Sequence, residues 1–269
     1  MTPEASHWED VLGRASIESR AAVLGLGEGG KKVVGKGASG DTTLLADKAA
    51  EEAVMKALGG ESGVRFLGEE AGKVGEPSAP FLAVIDPLDG SSNYLRGVPF
   101  YCTSIAVAHG RRLSDVLAGH ILDLVTGDEY FASKGGGAKK NGMAIRTSEI
   151  LSLENSTAGL DLSGMQGPRL GNAMEVVKST RRQLHLGANA LELSMLAAGN
   201  IDCFVDLREK MRVTDVAAAL LILKEAGGVY SRPDGSLLDP ELNLKERISV
   251  VASGNPELHA RLVALLSEP

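Results

Sequence analysis

Cysteine is scarce: Cys102 and Cys203 are the only two in 269 residues. Both lie in mainly apolar segments without metal-binding spacing, so they read as buried free thiols of a reducing compartment. Aromatic residues make up only 4% of the chain, with a single Trp, so the core must be mainly aliphatic. No apolar run is long enough to span a membrane, and the N-terminus is acidic and polar, unlike a signal peptide. A soluble cytoplasmic protein with no membrane partner is the expectation. A basic excess is also missing. The formal net charge of −7 argues against a nucleic-acid backbone as the main partner. It leaves room for an anionic substrate, because bound metal inverts the local sign. None of the five histidines (His7, His109, His120, His185, His259) forms an HxH or HExxH pair. Zinc hydrolysis is therefore not indicated, and each histidine reads as structural or solvated.

The length suits one large domain or two closely packed halves. Ser6 and Glu9 make a capping-box pattern that predicts a first helix running through Val11, Leu12, Ala15, Ala22 and Val23. Gly-rich chain follows from Gly25 to Gly40. A second helix is predicted from Thr43 to Leu58, stopped by Gly59-Gly60. Strands are predicted at Val64–Leu67, Phe81–Ile85, Tyr101–Ala108, Val116–Leu122 and Glu129–Ala132. From about residue 150 the pattern alternates. Strand-like Ala158–Leu162, Gln183–Leu186 and Ile201–Val205 are interleaved with helix-like Asn172–Lys178, Ala190–Ala198 and Val216–Ala226. Strand Ile248–Ala252 leads to a last helix with Asn255 as cap and Pro256 at its first position. The order is α+β over residues 1–150 and α/β over residues 151–269, within one structural unit, which implies layered sheets and helices.

Two glycine motifs are decoys. Gly25 to Gly30 matches G-x-G-x-x-G, but a dinucleotide site needs that turn after a strand and before a helix. Here it follows a helix and precedes a predicted strand at Lys31–Val34. Gly30 to Lys36 approximates a P-loop, with Gly37 where a hydroxyl residue should stand.

The acidic positions carry more. Asp86-Pro87-Leu88-Asp89-Gly90-Ser91 ends the apolar run Phe81–Ile85, with Glu69-Glu70 before it and Asp215 far after it. An Asp-rich turn and an acid at a helix N-terminus are ordinary explanations for Asp89 and Asp215 taken singly. Together, strand-end carboxylates suit hard cations and the following turn suits a phosphate, which suggests metal-assisted phosphate chemistry. Asp47 and Glu51, four apart on the second helix, read as a solvated face, and Asp41 as a loop cap. Arg208, Lys210 and Arg212 alternate after strand Ile201–Val205, as a solvated basic edge or an anion site whose strand face brings Arg208 and Arg212 beside Asp215.

These blocks resemble the inositol monophosphatase family of Mg²⁺-dependent, lithium-sensitive phosphatases. The match rests on Gly40-Asp41 through Asp47-Lys48, Gly68-Glu69-Glu70, Asp86 to Ser91, and Asp215 through Gly228, in the family's order. Asp89-Gly90-Ser91-Ser92-Asn93 and the run Val205 to Asp215 resemble the archaeal-type branch with both fructose-1,6-bisphosphatase and inositol monophosphatase activity. The resemblance implies a layered α-β-α-β-α sandwich of the sugar-phosphatase type. It implies a phosphoric monoester hydrolase acting on fructose 1,6-bisphosphate and inositol 1-phosphate through metal-activated water. It also implies two or three Mg²⁺ ions, with Mn²⁺ as a substitute, and a homodimer. Glu69, Asp86, Asp89 and Asp215 would be carboxylate ligands and Leu88 a carbonyl ligand. Gly90 and Ser91 would offer N–H groups to the scissile phosphate. Asp47 would pair with the Ser91 hydroxyl and, with Glu69, orient the attacking water. Asp41 would sit on the loop that carries a further metal. Asn189 and Arg208 would lie on the substrate side. Thr214 replaces the tryptophan that animal members carry before the last aspartate, which favours a broader or bisphosphate substrate. A 3′-phosphoadenosine 5′-phosphate phosphatase and a partner-binding family member are the competing expectations.

Overall fold

The computed structural model describes residues 3–267. Two sheets and a hairpin account for its strands. The hairpin pairs β1 (Val33–Lys36) with β2 (Thr42–Leu44). The larger sheet holds β3 (Val64–Gly68), β4 (Gly72–Val74), β5 (Phe81–Asp89), β6 (Cys102–Ala108), β7 (Val116–Asp123), β8 (Glu129–Ser133), β9 (Ala138–Lys140) and β10 (Met143–Ala144). Its spatial order is β10-β9-β8-β7-β6-β5-β3-β4. The smaller sheet holds β11 (Thr157–Leu160), β12 (Arg182–Leu184), β13 (Cys203–Met211), β14 (Val229–Ser231) and β15 (Ile248–Ser253), in the order β12-β11-β13-β15-β14. The helices are α1 (Pro3–Gly25), α2 (Leu45–Leu58), α3 (Ser91–Arg96), α4 (Gly167–Ser179), α5 (Asn189–Ala197), α6 (Val213–Glu225) and α7 (Pro256–Ser267).

Alternation along the strands sorts side chains into three apolar layers, as the two-residue period requires. Ala83 and Ile85 of β5, with Ile105 and Val107 of β6, face Trp8, Val11, Leu12 and Ala15 of α1 and Val54 and Leu58 of α2. Leu82 and Val84, one residue out of phase, face the opposite way, into a cluster that includes Leu191 and Leu193 of α5, most of α6, and Phe204 and Val250 of the smaller sheet. Cys203 and Val205 of β13 face Ala173 and Val176 of α4 and Leu258 and Leu262 of α7. The layers are therefore α1/α2, large sheet, α5/α6, small sheet, α4/α7, the α-β-α-β-α sandwich expected. The central position of α6 explains its sequence. Residues Val213 to Leu223 are all buried, and a helix covered on both faces is apolar all round.

Several boundaries differ from expectation. Helix α1 begins at Pro3, so Ser6 lies inside it and is not its N-cap. Lys31 closes a short 3₁₀ turn, and the strand comes later, at Val33–Lys36. Strand β13 runs on to Met211 because Leu207 and Met211 are buried, while Arg208, Glu209 and Lys210 between them are not. Asn255 does cap α7, its Oδ1 accepting the Leu258 N–H at 2.9 Å. Cys102 and Cys203 are both free and buried. No helix among the described residues is long and apolar enough to cross a membrane.

Candidate active site

Parallel pairing of β3 with β5 places Gly68 opposite Ile85, so Glu69, just past the end of β3, stands beside Asp86, which is still paired with Ser104 of β6. Ligands commonly sit beyond such carboxyl strand ends. Helix α6 brings the third acid. Asp215 stands in its first turn, where its Oδ2 accepts the Arg212 N–H at 3.0 Å and its Oδ1 accepts the Thr214 hydroxyl at 3.1 Å. Ligand atoms of Glu69, Asp86 and Asp215 all lie within 4.8 Å of one another.

This convergence is electrostatically adverse on its own. Burial comes first, then the charges of Glu69, Asp89 and Asp215, in pushing the Asp86 carboxyl far above the ordinary range. Burial and then Asp215 do the same to Glu69. Asp89 is pushed up to about 8, again by burial and then by Asp215. Arg212 reaches into the group, donating from Nη1 to Glu69 at 2.6 Å and pairing through Nη2 with Asp41, and the charge of Arg247 also acts on Asp215. The Arg212 Nε is buried without a partner. An all-oxygen donor set with excess negative charge fits hard divalent cations, which would relieve the repulsion that burial creates.

The remaining predicted residues fall around this group. Asp89 lies just outside it and is engaged with α5, its Oδ2 accepting the Ala190 N–H at 2.6 Å. Asn189 opens α5 beside it. Leu88 buries its side chain among Leu44, Tyr94 and Leu122, leaving only its backbone for the site. Gly90 has φ 91°, a left-handed conformation that glycine adopts without penalty, and Ser91 starts α3 directly after it. Asn93 then donates to Phe100 O at 2.8 Å and Leu186 O at 2.6 Å, tying α3 to the chain before α5.

Asp47 and Glu51 are not on a solvated face. They are 4% and 2% exposed, because α2 turns them toward the sheet with Ala50, Val54 and Leu58. Asp47 accepts the Leu44 N–H at 2.6 Å and caps α2. No hydrogen bond joins it to Ser91 among the described residues, since its capping bond holds it on its own helix. Burial raises its carboxyl to about 7. Asp41, on the β1–β2 turn, does reach the site, through Arg212.

Arg208 and Arg212 do not share one strand face. Glu209 between them has φ 53°, and the β13–β15 register shifts between Asp206 and Met211, so simple alternation fails. Arg212 enters the carboxylate group. Arg208 is held by Asp206, with Nε at 3.0 Å and Nη2 at 2.5 Å, and by Asp161. Lys210 points elsewhere, toward Ser163 O at 3.5 Å.

Sequence reasoning put Arg212 beside Asp215 as an anion contact but missed its bond to Glu69, and it missed Thr43 as the hydroxyl that donates to Glu70. It also missed Glu192, buried on α5, whose Oε1 accepts the Gly187 N–H at 2.9 Å and the Leu186 N–H at 3.2 Å. The N–H groups that Glu192 holds are five and six residues away, and no local motif announces them.

The inositol monophosphatase family model matches residues 13–268. A fructose-1,6-bisphosphatase/inositol-1-monophosphatase of Methanothermobacter thermautotrophicus is 38% identical, covering 97% of this chain and 96% of its own. One of Archaeoglobus fulgidus with the same description is 35% identical, covering 87% and 88%. A solved Pyrococcus horikoshii structure, described as having similarities to inositol-1 monophosphatase, superposes with TM-score 0.84 at 26% identity, covering 98% of this chain and 100% of that one. Metal dependence is typical of this family, in keeping with the acid group. With the match spanning almost the whole chain and both sheets, the protein belongs to the inositol monophosphatase family.

Proposed function

We propose that this protein hydrolyses phosphate monoesters of sugars and polyols, chiefly fructose 1,6-bisphosphate and inositol 1-phosphate, releasing inorganic phosphate. The observation that carries the reading is the convergence of Glu69, Asp86 and Asp215 in a largely buried cluster of excess negative charge. In it, Glu69, Asp86, Asp89, Asp215 and the Leu88 carbonyl hold two or three Mg²⁺ ions, or Mn²⁺. Such ions neutralise phosphate charge and lower the pKa of bound water. The chain's own part is positional. Gly90 and Ser91 present N–H groups where α3 begins, where a phosphate is favourably received. Asp47 and Glu69 orient the attacking water, and Asp41 brings the β1–β2 turn over the site. Asn189 and Arg208 face the alcohol portion. A cytoplasmic homodimer, with the two sheet regions acting as one unit, completes the proposal.

The reading is tested with a substrate panel at fixed Mg²⁺: fructose 1,6-bisphosphate, inositol 1-phosphate and 3′-phosphoadenosine 5′-phosphate. Turnover of the first two is the expected result. Selective turnover of the nucleotide would replace the substrate assignment, and release from none with Mg²⁺ or Mn²⁺ would refute the activity.

A further inference from the structure

Behind Glu69 lies a buried carboxylate with no place in the scheme above. Glu51 of α2 is 2% exposed. Its Oε1 accepts the Glu70 N–H at 3.0 Å and its Oε2 accepts the Ala71 N–H at 2.7 Å. Those two amides form the turn that carries the chain from β3 into β4, and Glu69 is the first residue of that turn. Gly68 shows how closely the carboxylate seats. A Cβ built there would stand 2.0 Å from Glu51 Oε1, so the glycine of Gly68-Glu69-Glu70 makes room for Glu51.

We propose that Glu51 is a positioning residue: by accepting both turn amides it holds the Glu69 carboxylate aimed at Asp86 and Asp215. The proposal rests on the reading of Glu69 as a cation ligand. Each carboxylate oxygen takes one N–H, and a charged acceptor makes both bonds stronger than neutral ones. A glutamine of the same shape turns an NH₂ toward one of those amides and loses that bond. Changes to groups that hold a metal ligand typically weaken metal binding about 10–100-fold.

The test is Mn²⁺ binding to the full chain, followed by electron paramagnetic resonance without substrate, alongside melting temperature in chelator. Glu51→Gln is expected to weaken Mn²⁺ binding by about tenfold or more. Gly68→Ala leaves every charge in place but pushes a methyl into the carboxylate, and is expected to weaken binding in the same direction. Exposed Glu52→Gln, on the same helix, should stay within about twofold of wild type, well short of that range. A lower melting temperature with Mn²⁺ affinity unchanged in Glu51→Gln and Gly68→Ala would make Glu51 merely structural and overturn the proposal. So would a loss confined to Glu51→Gln, which would mean its charge acts and its placement does not. Should both variants fail to fold, amide exchange in the metal-free wild type decides. Slow exchange at Glu70 and Ala71 supports the brace, and exchange at unprotected rates overturns it. A wild type that binds Mn²⁺ yet cleaves no phosphate ester fails the phosphatase reading and leaves the brace standing.

Discussion

Two charge clusters lie within this fold, and they are built on opposite principles. Around Arg208, one guanidinium sits between Asp206 and Asp161, and each acid has a direct cationic partner. Around Asp86, acids converge, and among the described residues only Arg212 pairs directly with one of them, with Arg247 acting on Asp215 from further off. A paired cluster is complete as it stands, and removing one partner strands the other. An unpaired cluster is incomplete by construction, and the missing charge has to come from a ligand. The contrast separates a cluster whose charges pair within the chain from one that awaits a cation.

The largest effect should follow from Asp86→Asn. Phosphatase activity at saturating Mg²⁺ is expected to fall by several orders of magnitude, because a charge shared with the metal group is lost. In chelator the same variant should melt higher than wild type, since it removes a repelling buried charge. Loss of activity together with a lower metal-free melting temperature would remove the distinction between the two clusters.

The next effect is a pH dependence of the metal-free protein. Asp89, held up to about 8, and Asp47, held up to about 7, have folded values above those of the unfolded chain. Their stability contribution is full below an ordinary carboxylate pKa of about 4 and is lost as pH rises through about 7 to 8. Melting temperature in chelator should therefore drop from pH 5 to pH 8.5 by at least several degrees, given roughly 2–4 °C per kcal/mol for chains of this size. Mg²⁺ should flatten the drop, because it binds the ionised acids. A rise in melting temperature across that range in chelator would contradict the electrostatic picture.

The smallest effect concerns substrate choice. Arg presents a fork suited to phosphate oxygens, and a charge-assisted bond is worth roughly 1.5–3 kcal/mol. If Arg208 turns from its acids to a second phosphate, Arg208→Ala should raise KM for fructose 1,6-bisphosphate over inositol 1-phosphate by on the order of tenfold in ratio, since 1.4 kcal/mol is one decade. Asp161→Asn leaves Arg208 paired with Asp206 and should leave that ratio nearly unchanged. Equal losses on both substrates in both variants would place Arg208 with the structural cluster.

Much of this was legible before the structure. The run from Asp86 to Ser91 reads directly because its strand, turn and helix start are contiguous in the chain. Asp215 reads because an acid opening an apolar helix stands out. The layered fold and the family resemblance followed from the same blocks. Arg212 was legible as a neighbour of Asp215 but not as a partner of Glu69: that contact spans 143 residues, and an arginine at a strand end has many local explanations. The bulge at Glu209 also broke the two-residue rule that placed Arg208 and Arg212 together. Asp47 and Glu51 were misread although a signal existed. Residues 47, 51, 54 and 58 are spaced as one helix face, and Val54 and Leu58 mark that face as buried. A carboxylate on an apolar stripe points to a buried partner, here the backbone amides of Leu44, Glu70 and Ala71.

The most direct measurement is phosphate release from fructose 1,6-bisphosphate by protein stripped of divalent cations, before and after Mg²⁺ is returned. No turnover in the stripped protein and full recovery with Mg²⁺ is the expected result. Undiminished turnover after thorough chelation would mean that the unpaired acids serve some purpose other than holding a catalytic cation.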